Sequence, residues 1–194
     1  LMGLNEKKFK RFNYLVKNKT FKQLLWIGIG SIVMFFAGLT SAYIVRKAEG
    51  NWLEFDMPIW FTFSTITVII SSFSLWFALK NIKQNKSATE FLIATLFLGF
   101  IFTFSQIQGW KDLVSQGVYL TGEGSNPSGS FIYVITLAHL FHLIGGIFAL
   151  CITTIKSKLD IYSKDNYLGM ELISIYWHFI GLLWLYLFLF FSYS

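Results

Sequence analysis

Charged residues divide this chain of 194 residues into long apolar blocks, with few of the alternating patterns that mark half-buried strands. The uncharged runs comprise 23 residues between Lys22 and Arg46, 23 between Asp56 and Lys80, 20 between Glu90 and Lys111, and 23 from Leu172 onward. A helix rising about 1.5 Å per residue crosses a hydrocarbon core of about 30 Å in about 20 residues, so each run is long enough to span a bilayer. A fifth uncharged run, Gly124 to Ile155, opens with Gly124-Ser125-Asn126-Pro127-Ser128-Gly129, which is loop chemistry and puts the start of its helix near Ser130. The pattern predicts an all-α integral membrane protein. Five transmembrane helices are expected near 22–46, 57–80, 89–114, 130–156 and 168–193, after a basic tail over 1–21. No small-residue cleavage site closes the first run, which reads as a retained span.

Composition supports this assignment. Hydrophobic residues make up 55% of the chain and mean hydropathy is +0.57, above the 45–50% apolar share of a soluble domain. The formal charge of +6 lies in connecting segments and at the N-terminus, and no basic-aromatic stripe suits a nucleic acid. Thirteen Lys and Arg fall in the N-terminal tail and the second and fourth connections, against three (Arg46, Lys47 and Lys111) in the first and third. By the positive-inside rule the N-terminus is cytoplasmic and the C-terminus outside. The single Cys151 has no partner for an internal disulfide and reads as a small apolar helix residue.

All three histidines lie within predicted spans, where an unpaired polar group facing lipid costs several kcal/mol. His139, His142 and Gly146 are spaced i, i+3, i+7 and share a face of the fourth helix, the glycine permitting close approach of a neighbour. Glu171 and His178 are seven apart on the fifth helix. The fourth and fifth helices are sequential and antiparallel, so the expected contact is a hydrogen bond from His178 or Glu171 across to the fourth helix near His142, through water if their depths differ. Small residues in the first helix, hydroxyls including Ser71 and Ser72 in the second, and Gln106 near the end of the third read as helix-packing groups.

Taken together, these residues resemble subunit III of the haem-copper terminal oxidases, in a short form of five spans. The resemblance rests on Gly169-x-Glu171, Tyr176-Trp177-His178-Phe179 with Trp184, His139-x-x-His142-x-x-x-Gly146, Gln106, Ser71-Ser72, and Val33-Met34-Phe35-Phe36-Ala37-Gly38. It covers all five helices in order. The sequence departs from the family pattern at Ile32, Gly109 and Gly181, three positions where that pattern usually carries an acid.

The resemblance implies an integral subunit of the bacterial cytoplasmic membrane without catalytic residues of its own. Haems, copper and oxygen reduction would belong to partner chains: subunit I in direct contact, subunit II, and a small subunit IV, within a respiratory supercomplex where one forms. The electron donor would be cytochrome c or a quinol. The chain would stabilise the core, hold phospholipid at its interface and support proton uptake. His139, His142, Gly146, Glu171, Trp177 and His178 would form a structural polar cluster. Two alternatives stand beside this reading, an accessory chain of nitric oxide reductase and a membrane cytochrome with haem b held by imidazoles from facing helices. Transport is disfavoured, since no span is broken by Pro or carries a mid-membrane charge. A carboxylate-histidine metal site lacks a Glu-x-x-His motif.

Overall fold

The computed structural model describes residues 2–50, 52–53, 56–84, 86–122, 124–163 and 166–193, with side chains from Val16 onward. Five helices follow one another: α1 (Met2–Ala48), α2 (Ile59–Lys83), α3 (Thr89–Ser115), α4 (Pro127–Lys158) and α5 (Leu168–Tyr193). Each carries a stretch long and apolar enough to cross a membrane.

Two boundaries differ from the sequence expectation. The helix of α1 does not begin near residue 22 but runs through the basic tail from Met2, a segment with five lysines and no proline to break it. The helix of α4 begins at Pro127 rather than near Ser130. Asn126 caps it, its side chain accepting from the Ser128 amide at 3.0 Å, and Pro127 sits where the missing N–H costs nothing. Asn126 also accepts from the Ser128 hydroxyl at 2.9 Å and the Leu53 amide at 3.4 Å, tying the first connection to α4.

α2 and α3 form an antiparallel hairpin, α3 packs on α4, α4 on α5, and α5 on α2, which closes a four-helix ring. Among the described residues α1 lies outside that ring, touching only α4 and α5. Only 17% of the residues in its apolar stretch are buried, against 33% to 44% in the other four. The ring is filled by large side chains, with Trp177, Trp184, Phe61 and Phe102 fully buried. At one end of the bundle Tyr43 of α1 meets Trp52, Phe131, Phe190 and Phe191 edge-on or tilted, with ring centroids 4.7 to 6.0 Å away.

Candidate functional site

Trp177 is the centre of the bundle. Its indole N–H donates to Ser71 of α2 at 3.0 Å, and the Ser71 hydroxyl in turn donates to the Val68 carbonyl at 2.8 Å. The ring lies against two glycines: a Cβ at Gly99 of α3 would stand 2.9 Å from its far edge, and one at Gly146 of α4 would stand 3.4 Å away. One side chain thus reaches three helices, because α3 and α4 present glycines and α2 a small serine where it sits. One turn pair further along α5, the Trp184 indole donates to Thr65 of α2 at 3.0 Å, and Gln106 of α3 donates to Ser64 at 2.9 Å. Such hydroxyls hold membrane helices together where lipid is as apolar as leucine. The pairing of Trp177 and Trp184 with hydroxyls of α2 escaped the sequence reading. The matching near-heptad spacing of Thr65 and Ser71 was its only signal.

The expected polar cluster divides into separate contacts. His139 is buried to 1% exposure, boxed by Phe36, Phe102 and Trp184 at centroid distances of 6.4, 5.9 and 5.2 Å. Among the described residues, neither of its ring nitrogens has a hydrogen-bond partner, nor does the buried Gln106 Oε1. His142 is half-buried; its Nδ1–H donates to the Ala138 carbonyl at 2.7 Å, and Phe36 packs on its ring at 5.6 Å. The group that crosses from α5 to α4 at this point is Tyr176, whose hydroxyl donates to the His142 carbonyl at 2.9 Å.

His178 and Glu171 do not make the expected contact with α4. His178 stands two residues beyond Tyr176, about 200° around the helix, so when Tyr176 faces α4 the imidazole faces away from it. It lines a groove of about 410 Å³ between α2 and α5, together with Ser72 and Gly181. Glu171 instead receives the Lys22 ammonium of α1 at 2.7 Å, with both side chains partly exposed. Lys22 read as a tail charge in the sequence, and nothing there signalled this partner. Farther along α1, Thr40 shares a hydrogen bond with Tyr186 of α5 at 3.1 Å.

Gly169, the first residue of the Gly169-x-Glu171 signature, is explained by the α4–α5 connection. The Tyr162 hydroxyl rests on it, only 2.5 Å from where a Cβ would be. Burial pushes the Tyr162 phenol above its usual pKa, partly offset by its hydrogen bond with Thr153. Gly109 is likewise a packing position, covered by the Phe61 ring. Cys151 is a free, half-buried thiol. Among the described residues no three His, Cys, Asp or Glu side chains come together as a metal site.

Residues 53–194 match the family model described as Cytochrome c oxidase subunit III. Among similar proteins, a probable cytochrome c oxidase subunit 3 of Nocardia farcinica is 28% identical over 177 residues, covering 85% of this chain and 82% of the relative. A cytochrome c oxidase subunit 3 of Corynebacterium diphtheriae is 26% identical over 179 residues, covering 84% and 85%. A probable quinol oxidase subunit 3 of Staphylococcus saprophyticus is 29% identical over 171 residues, covering 84% and 83%.

Proposed function

Because the chain belongs to the cytochrome c oxidase subunit III family, we propose that it is the structural subunit that stabilises the core of a respiratory haem-copper oxidase and supports proton uptake by its partners. Membership makes it an oxidase subunit in a bacterial cytoplasmic membrane, working beside other chains of its complex, and subunits of this family generally lack redox cofactors. The finer role is our reading. It includes direct contact with subunit I, neighbouring subunits II and IV, phospholipid held at the interface, and a cytoplasmic N-terminus.

The observation that carries it is the use made of the signature residues. Trp177, Gly146 and Ser71 are spent on joining α5, α4 and α2, and Gly169 on seating Tyr162. Each explains a conformation rather than a reaction. The imidazoles do not converge as haem ligation would require: His139 is enclosed by three aromatic rings, His142 is bonded within α4, and His178 opens toward α2.

The test is purification of the tagged chain in mild detergent, with visible spectra of the complex and of the chain alone. We expect haem- and copper-bearing chains to copurify, while the isolated chain shows no Soret band. Removing the chain should leave initial oxidase activity per haem largely intact and shorten the period over which it is sustained. A Soret band in the isolated chain that vanishes in His142→Ala would identify a cytochrome instead. Copurification with a nitric oxide reductase would move the chain to that complex.

A further inference from the structure

We propose that the groove between α2 and α5 seats a transmembrane helix of a partner chain, one that presents a hydrogen-bonding side chain at the depth of His178 and Ser72. The inference rests on the reading of the protein as an oxidase subunit, which supplies membrane-spanning partners.

The first observation is chemical. His178 and Ser72 both line the groove, and neither has a hydrogen-bond partner among the described residues. Around them the walls are apolar, formed by Val68, Ile69, Phe73, Trp76, Leu182 and Leu185. An imidazole and a hydroxyl left facing hydrocarbon cost several kcal/mol, so a polar group from outside this chain belongs here.

Depth decides what can supply that group. His178 lies ten residues, about 15 Å, from the start of α5. Ser72 lies about 20 Å from one end of α2 and about 16 Å from the other. Both are therefore near the middle of the hydrocarbon, where a phospholipid offers only acyl chain. Its phosphate and ester oxygens remain at the boundary, out of reach of either residue. A side chain on a neighbouring helix can stand at any depth.

The shape of the groove favours a helix as well. Ile69, Phe73 and Trp76 on α2 are spaced by four and three residues, and so are His178, Leu182 and Leu185 on α5. This is the 4-3 repeat by which one helix receives the side chains of another in left-handed bundles. Between the two walls the floor is low: Gly181 has no side chain, and a Cβ there would meet Val68 at 3.3 Å and the Ser72 hydroxyl at 3.4 Å. Low floors permit close helix approach. The outer parts of both walls are open, with Phe73 61% and Leu182 66% exposed, so the groove has an apolar rim available for burial.

The experiment uses the intact purified complex, with a photo-crosslinking benzoylphenylalanine in place of Leu182 or Phe73, and of Phe97 on α3 for comparison. We expect positions 182 and 73 to crosslink to one and the same transmembrane segment of another chain of the complex, identified by mass spectrometry. Crosslinks from both positions to phospholipid or to a quinone alone would overturn the assignment. As a second measure, His178→Leu should lower retention of this chain on the complex through a detergent wash by about three- to twentyfold, the range of single intramembrane hydrogen bonds. Thermal unfolding of the isolated His178→Leu chain should match that of the unaltered chain. Unchanged retention would mean that the imidazole makes no contact with the partner, and would also overturn the assignment. Failure of the unaltered chain to copurify with any haem-copper chain would overturn both this inference and the functional reading, whereas lipid-only crosslinks within an intact complex overturn this inference alone.

Discussion

Gly109→Ala tests the packing logic at a single atom. The added Cβ would lie 2.7 Å from Phe61 Cδ1, closer than such contacts occur, with two further atoms of the same ring within 3.1 Å. Phe61 has no exposure, and its other side packs edge-on against Trp184 at 5.7 Å, so the ring has nowhere to withdraw without displacing a second buried aromatic. Overpacking of this kind costs about 1–3 kcal/mol. Replacing a helical glycine with alanine also returns up to about 1 kcal/mol of helix propensity, which masks part of that cost. Gly28→Ala separates the two effects: a Cβ at Gly28 on α1 meets nothing within 4 Å, so it receives the propensity gain alone. Measured by unfolding in mixed micelles, Gly109→Ala should be less stable than Gly28→Ala by about 1–3 kcal/mol. Adding Phe61→Leu should recover part of the loss, as residues in contact couple by about 0.5–3 kcal/mol. If Gly109→Ala and Gly28→Ala unfold within about 0.5 kcal/mol of each other, the account of position 109 as a seat for Phe61 fails. The same ring leaves no room for an acidic side chain at position 109 of this chain.

Ser71→Ala leaves the Trp177 indole N–H without its acceptor and should destabilise the isolated chain by about 0.6 kcal/mol, and no more than about 1.7, with Trp177→Phe largely abolishing the effect in a double-mutant cycle. Tyr162 should make stability fall at high pH: its folded pKa is raised above 10.0, so the folded state holds the proton more tightly than the unfolded one. That contribution is present in full below pH 10.0 and is lost as pH rises through the folded value, so the difference in unfolding free energy between the unaltered chain and Tyr162→Phe should shift across that alkaline window and stay flat below it. A cysteine placed at Ser125 in a Cys151→Ala background should react with an impermeant maleimide from outside the membrane; labelling only from the cytoplasmic side would reverse the orientation assigned from the Lys and Arg bias.

The five helices were legible because charge exclusion over about 20 residues has few explanations other than a membrane span. The start of α4 was misplaced because Gly124 to Gly129 consists wholly of the loop-favouring types Gly, Ser, Asn and Pro, and the capping role of Asn126-Pro127 competes with that signal over the same positions. Within the site, i, i+3 and i+7 spacing placed His139 and Gly146 on a buried face, since that relation depends only on helix pitch. What spacing leaves open is the rotation of one helix against its neighbours. The rotation of α5 was fixed by its largest side chains, with Trp177 and Trp184 turned toward the hydroxyls of α2. Tyr176 then fell against α4 and His178 did not, although His178 and Glu171 were the residues the sequence pointed to. The Lys22 and Glu171 pair lay further out of view, because 149 positions separate its members and α1 lies outside the ring to which α5 belongs.

The peripheral position of α1 bears on how the protein is made. Its helix partners among the described residues, α4 and α5, lie at the other end of the chain, so during synthesis α1 enters the membrane well before either of them exists. It must persist as a lone span while α2 and α3 are inserted and pair with each other. Its mean hydropathy of 1.9 over the apolar stretch suits that wait, since a helix with all backbone groups bonded internally is stable in lipid without neighbours. Docking of α1 is then a late event, completed when Lys22 finds Glu171 and Thr40 finds Tyr186. A ribosome stalled between α3 and α4 would expose α1 unpaired beside a finished α2–α3 hairpin, and quality-control proteases of the membrane would meet that intermediate on chains interrupted at that point.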